Sequence, residues 1–499
     1  MSAFLTRSVW SCLIAISIST YAQSNSLEES AGPKPTAKYV DLEYAPPNFT
    51  NANGEKIIFV DISEAQYNLK FDAEDQVATA ESTITFSCES TGHPVICIRQ
   101  PVFSAILDGH SVGIRTEKSP DGEATFQSLS MAVTPGVHKL VITNALTGGP
   151  GLDSPIRWRT DPNRVRCLFL MWDLDIDGQF LETYVPSNFE FDHFKMEFEI
   201  QLSGSTVEHQ LISNGNVTRT GQGKWKIDCP AYFTTSSPWF HLDDSADLVT
   251  LNSQFESMDG RRIPVQVYSL NYLIEDREID LWAFHQKTHE ILTTLENDFG
   301  PFPHETVTVL GIGMGVGGME HSGMTWTGLG SLRHELDHSY FARGITPANG
   351  NAGWMDEAIA MWGDGGYPQS EDPPSGSDNM GDRSPYIRGT HGQAYYQGQD
   401  VIKHLDFLLQ AQGGMKKFLK HYAEVKQHSS ISAKEFQQMV ERFHGSSLDW
   451  LFDKHVYGQG GSPNPTQAAP HHHLSPHEAF RIIFSQNQED FTEHNPDGT

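Results

Sequence analysis

From His334 to Glu357 the chain reads HELDHSYFARGITPANGNAGWMDE: a His-Glu-x-x-His pentad, eighteen further residues, then a second glutamate. On an α-helix, His334 and His338 lie four residues apart and share one face, so two imidazoles can reach one cation. Glu335, about 100° round the same helix, can hold a water beside that cation. Glu357 is placed to supply the third ligand from a following helix, which the run Trp354-Met355-Asp356-Glu357-Ala358-Ile359-Ala360 begins. Two imidazoles and one carboxylate leave the fourth position of a tetrahedral zinc site open to water, the arrangement of a catalytic rather than a structural site. With 23 histidines and 63 acids in the chain, the pentad alone would arise by chance in roughly one such sequence in ten to twenty. A glutamate at one set distance lowers that chance by about another factor of ten. One Zn²⁺ per chain is the expected cofactor, and two packed helices are the structure it requires.

Just upstream stands Gly317-Gly318-Met319-Glu320-His321. With the pentad, the eighteen-residue gap and the WMDEAIA run, it resembles the gluzincin zinc aminopeptidases, the family of alanyl aminopeptidase and leukotriene hydrolase. The resemblance spans residues from about 60 to about 465, with the catalytic stretch its specific part. It implies that Gly317, Gly318 and Met319 form an edge strand pairing with substrate backbone, and that Glu320 grips the substrate's free α-amino group. His321 stands where the family usually has asparagine. It also implies a tyrosine that stabilises the tetrahedral oxyanion. Ala394-Tyr395-Tyr396-Gln397-Gly398-Gln399 looks like the corresponding segment, with Gln397 in place of lysine, and Tyr395 is the choice over Tyr396 or Tyr386. A phenol suits the task because it donates a hydrogen bond to developing negative charge. The family's amino-terminal domain lends a Gln or Glu to the amine site. Gln179 is the candidate here and Asp177 the alternative.

At 499 residues the chain is long enough for about three domains. Its formal charge of −29 argues against nucleic acid or an anionic membrane as partner. Arg7 precedes an apolar stretch from Val9 to Ile18, and Thr20-Tyr21-Ala22 follows, which reads as a signal peptide (1–22) cut after Ala22. That stretch is too short to span a bilayer, and the mature protein is expected outside the cytoplasm, in a periplasm or secreted. Four cysteines remain beyond it, Cys88, Cys97, Cys167 and Cys229, enough for two disulfides, with Cys88–Cys97 a plausible local clip.

The expected fold class is α+β and multidomain: an antiparallel β-sandwich or saddle, then a thermolysin-like mixed α/β zinc-peptidase domain. A flexible leader (23–55) precedes the β domain (56–245), where Phe194, Met196, Phe198 and Ile200 alternate with charged neighbours. The catalytic domain (246–465) opens on strands near Val265 and Val267. A helix over about 275–297 follows, with Ile279, Trp282, Leu292 and Leu295 at helical spacing. Residues 364–393 form a Gly/Ser/Pro/Asp-rich insertion whose acids (Glu371, Asp372, Asp378, Asp382) suggest calcium only weakly. The tail 466–499 carries His471-His472-His473 and reads as flexible. Many relatives continue into a helical domain that roofs the site, so the resemblance implies a short form.

These roles imply removal of amino-terminal residues from peptides with a free amine, with Glu335 as the proton carrier. A thermolysin-type endopeptidase, an epoxide-opening hydrolase and a non-catalytic binding protein on the same fold stay open, as does a homo-oligomeric state.

Overall fold

Alternating side chains build the first half. The computed structural model describes residues 42–147, 156–169, 180–315 and 317–459. The signal peptide, Asp177, Gln179 and the tail lie outside the described residues. An eight-stranded sheet is ordered Asn216–Gly221, Lys224–Asp228, Lys195–Ser203, Asp61–Asp72, Val77–Cys88, Gly136–Ala145, Val102–Leu107, His110–Ser111. Its inward positions (Tyr67, Leu69, Phe71, Ile84, Phe86, Leu140, Phe198, Ile200) are buried. A four-stranded sheet, Ile156–Thr160, Asn163–Phe169, Phe240–Asp244 and His209–Ser213, lays Trp158, Val165, Phe169, Phe240 and Leu242 on the same core. The larger sheet departs from the expected antiparallel one. Lys195–Ser203 runs parallel to Asp61–Asp72, with Phe198 beside Tyr67 and Ile200 beside Leu69. Alternation marks both segments as strands, but no turn chemistry joins elements so far apart, so their relative direction is set by the shared core.

A five-stranded sheet begins the second half, ordered Leu248–Glu256, Arg262–Leu270, Val307–Gly313, Met324–Gly328, Gly318–His321. Gly318–His321 is its edge strand, placing Met319 opposite Trp326 and Glu320 opposite Thr325. The helix expected over about 275–297 is two elements. Asn271–Arg277 stops at Glu278, which is left-handed at φ 51°, and Leu281–Phe299 starts anew. Asp280 caps that second helix by accepting from the amides of Trp282 (2.9 Å) and Ala283 (3.1 Å). The restart turns Trp282 outward, 58% exposed, while Phe284, Ile291, Leu292 and Leu295 face the core. No helix among the described residues is long and apolar enough to cross a membrane.

Three further expectations are corrected. Residues 42–55, read as part of a loose leader, are packed: Phe49 sits edge-on to Phe126 and Tyr386, and the Tyr44 hydroxyl donates to Glu435 at 2.6 Å. Aromatic anchors outweigh the polar composition around them. The four cysteines are free thiols: Cys88 belongs to the main β core and Cys97 to a separate aromatic cluster, and those two cores keep them apart. The acids of the 364–393 insertion do not converge on a cation site; the convergent groups among the described residues lie elsewhere. The insertion is instead a strap onto the β half. Arg388 donates to Glu182 (2.7 Å) and to both oxygens of Glu190 (2.6 and 3.0 Å), with its guanidinium 3.6 Å from the Phe180 ring. Tyr386 adds its ring to the aromatic cluster and donates to the Pro47 carbonyl at 2.9 Å.

A buried imidazole cluster joins the halves. His304 Nε2 meets the Ser339 carbonyl at 2.9 Å, leaving Nδ1 to accept from the Tyr232 hydroxyl at 3.0 Å. His428 stacks on Tyr232 at 3.7 Å and donates to the Pro303 carbonyl at 2.7 Å. Burial pushes His428 down to about 4 and His193 down to about 3, and holds His304 well below its ordinary range. The unfolded chain therefore takes up protons first on acidification. Stability present above about pH 6.5 is lost as the pH falls toward these folded values. The melting temperature should fall between about pH 7 and about pH 4, with a shallower fall in His428→Gln. Calorimetry giving parallel profiles for the two proteins would contradict a neutral buried His428.

Candidate metal centre and active site

Helical spacing and burial assemble the site. His334, Glu335 and His338 lie on the helix Leu332–Phe341, and Glu357 on the helix Trp354–Asp364 packed against it. Nε2 of His334 and of His338 lie 3.5 and 3.8 Å from Glu357 Oε2. Ligands at about 2.05 Å in a tetrahedral zinc shell stand about 3.3 Å apart, so the set is slightly wider than a loaded site and fits one zinc ion. All three side chains are buried.

The outer nitrogens are held as well. His334 Nδ1 meets Asp364 Oδ2 at 2.8 Å, and His338 Nδ1 is hydrogen-bonded to Asp356 Oδ1. These contacts aim each Nε2 at the metal position and raise ligand basicity. Burial alone would lower the His334 pKa, but its hydrogen bonds to Asp364 and Glu357 and the nearby Glu335 carry it well above the usual imidazole range. The sequence reading missed both aspartates. Asp356 is the residue before the third ligand, and Asp364 lies seven residues after it on the same helix, two turns along the same face.

The edge strand crosses directly over Glu335. A Cβ on Gly318 would lie 2.7 Å from Thr327 Cβ and 2.8 Å from Glu335 Cδ, so only glycine lets the strand pass. Met319 is buried against Trp326 across the hairpin, and the Gly317 carbonyl accepts from the Gly328 amide at 3.2 Å. Glu320 is fully buried. Its Oε1 accepts from Arg343 at 2.9 Å, and Arg343 also donates to the Glu320 carbonyl (3.3 Å) and to Ser236 Oγ (2.9 Å). A third carboxylate, Asp356, comes within 4.8 Å of Glu320 and His338. His321 is buried beside Arg343, and burial, with that guanidinium, keeps its imidazole neutral.

Tyr395 is fully buried, while Tyr396 is 38% exposed. It follows the short 3-10 helix Gly392–Ala394, which packs on the helix carrying Glu357. Tyr386, the other tyrosine weighed, belongs to the aromatic cluster of the strap. Gln397 does structural work: its Oε1 accepts from the Asp378 amide (3.0 Å), and its Nε2 donates to the Asp378 (2.9 Å) and His455 (2.7 Å) carbonyls. The strap also touches the third-ligand helix, since a Cβ on its N-cap Gly353 would come within 2.0 Å of Thr390 Oγ1.

Removing either outer contact should loosen zinc without unfolding the chain. Asp364→Asn and Asp356→Asn are expected to weaken zinc binding by about 10- to 100-fold, measured by competition with a chelator. Wild-type affinity in both would show that neither aspartate orients its histidine.

No family model matches the chain. A curated relative, leucine aminopeptidase 2 of Vanderwaltozyma polyspora, is 22% identical over 308 residues, covering 52% of this chain and 44% of the relative. The match thus spans under half of that protein's length. Among solved structures, the M1 zinc metallopeptidase of Deinococcus radiodurans superposes with a TM-score of 0.56 at 16% identity, covering 81% of this chain and 95% of that one. Leukotriene A4 hydrolase of Saccharomyces cerevisiae gives a TM-score of 0.56 at 15% identity, covering 82% and 69%. These superpositions cover about four fifths of the chain, and the chain has the fold of the gluzincin, or M1, zinc metallopeptidases.

Proposed function

We propose that the protein is a zinc aminopeptidase that removes residues from the amino terminus of peptides. The observation that carries this reading is the convergence of His334, His338 and Glu357 with Glu335 beside them, under the edge strand that bears Glu320. Zinc, when bound, supplies Lewis acidity to the scissile carbonyl and to the attacking water. Glu335 takes the proton from that water as its oxygen attacks the carbonyl carbon. It returns the proton to the leaving amine as the C–N bond breaks. Tyr395 donates a hydrogen bond to the oxyanion. Gly317, Gly318 and Met319 line the substrate's backbone, and Glu320 lies at its amino end, with Gln179 the candidate second contact. Position, more than side-chain identity, then sets the bond that is cut.

The reading extends to the cell: the Arg7-led apolar segment ending at Ala22 supports export, with a mature chain starting at Gln23. A thermolysin-type endopeptidase is the second reading, and the guanidinium on Glu320 is what favours it.

The test is hydrolysis of aminoacyl-chromophore substrates by the zinc-loaded full chain. Activity should vanish with a chelator, return with zinc, and drop by about 10²- to 10⁴-fold in Glu335→Gln. Activity that survives both treatments, or none from zinc-loaded wild type, would overturn the assignment; the second result would leave a binding protein on a peptidase fold.

A further inference from the structure

The helix Leu281–Phe299 carries a second imidazole pair. His285 and His289 stand four residues apart on one face, the spacing that lets His334 and His338 reach one cation. Both rings reach the strand Leu248–Glu256, one edge of the five-stranded sheet whose other edge is Gly318–His321. Four strand spacings of about 4.8 Å separate those edges, about 19 Å in all, so this pair is distinct from the candidate active site.

The two imidazoles turn to one atom. His285 Nε2 lies 2.8 Å and His289 Nε2 2.9 Å from the Ser253 hydroxyl oxygen. Each ring also has an aromatic neighbour that limits its motion. The exposed Trp282 indole lies flat on His285 (5.2 Å, 12°), and Phe255 packs on His289 at 6.0 Å. Rings held in this way lose less freedom when a ligand engages them. The hydroxyl donates to one Nε2 and accepts from the other, so one ring offers a lone pair and the other an N–H. His285 Nδ1 is buried with no hydrogen-bond partner among the described residues. Nothing at that end fixes the tautomer, and the ring can present a bare Nε2 without giving up a bond at Nδ1. Burial, with His285 beside it, lowers the pKa of His289, which keeps that ring neutral and ready to ligate near pH 7.

Neutral imidazoles select the class of cation. Calcium and magnesium favour sets of oxygen ligands, and soft monovalent metals favour thiolates, whereas imidazole suits divalent transition metals, Cu²⁺ the most tightly. Neighbouring ligands in a tetragonal shell with bonds of about 2.0 Å stand about 2.8 Å apart. That is close to the separation of each Nε2 from the Ser253 oxygen, so little motion takes the trio from hydrogen-bonded to metal-bound.

We propose that His285 and His289, with the Ser253 hydroxyl, form a second metal site that takes a divalent transition metal. This does not rest on the aminopeptidase reading, and loss of peptide hydrolysis would leave it standing.

The test uses the zinc-loaded full chain with His471→Ala, His472→Ala and His473→Ala, which removes the imidazole run of the tail. Cu²⁺ is the probe. It is titrated against tryptophan emission, copper and zinc are counted after dialysis, and the bound copper is read by electron paramagnetic resonance. This parent protein should take up copper without losing zinc, show two nitrogen donors and dim in emission. Trp282→Phe should bind copper as tightly with less of the dimming. His285→Gln and His289→Gln should each weaken the binding by about tenfold or more and leave a single nitrogen donor. Copper binding that is equally tight in both variants would overturn the proposal, as would a two-nitrogen signal that survives in them. Copper that enters only as zinc leaves would overturn it too. If one variant does not fold, the other variant and the nitrogen count of the parent decide.

Discussion

Four fully or almost fully buried carboxylates, Glu320, Glu335, Asp356 and Glu357, lie where one edge strand meets two helices. Each would cost several kcal/mol to desolvate without a counter-charge. Arg343 answers Glu320, and the His338 Nδ1 hydrogen answers Asp356. Glu357 lies beside the two imidazole Nε2 groups, where a zinc ion would sit, and Glu335 stands next to them on the same helix. Docking the helix Leu332–Phe341 onto Trp354–Asp364 and loading zinc are therefore one electrostatic problem. Metal binding is coupled to the close packing of these helices, as in sites whose ligands must be deprotonated to converge.

The β half takes part in that solution. Ser236 fixes Arg343, and the Tyr232 hydroxyl fixes His304, which in turn engages the carbonyl of Ser339, one residue beyond the second histidine ligand. From the other side the strap closes the circuit, with Arg388 on Glu182 and Glu190 and Thr390 against the N-cap of the third-ligand helix. Asn214 adds a direct tie, donating to the carbonyls of Ser237 (2.7 Å) and Ser322 (2.9 Å), the latter on the hairpin of the edge strand. Short chains of hydrogen bonds thus run from the β half to the candidate metal site.

What could be read from the sequence was what is local. The pentad, the interval to Glu357 and the alternation over 194–200 are set by helix and strand periods, so the metal triad and that strand were legible. Strand direction was not, because the parallel pairing of Lys195–Ser203 with Asp61–Asp72 depends on a shared core. The break at Glu278 was hidden by an apolar period that runs on through it, and only Asp280 as a cap signals the restart. Tyr44 and Phe49 were masked by a polar segment, and the cysteine spacing suggested a Cys88–Cys97 bridge that separate cores forbid. The partners of Glu320 and of the two histidines lie up to 30 residues away in sequence, and no period links them.

Two glutamates show how little of the chemistry the backbone decides. Glu320 and Glu357 are equally buried, each on an element whose path resembles that of solved peptidases at about 15% identity. Glu357 lies beside two imidazoles in the candidate metal site, whereas Glu320 accepts from a guanidinium. Gln397 makes the same point: where the resembling family carries lysine, this side chain is spent on two carbonyls and an amide of the strap and its neighbour. The shared fold fixes the path of the strand and the two helices, and the side chains carried on them decide which charges meet there.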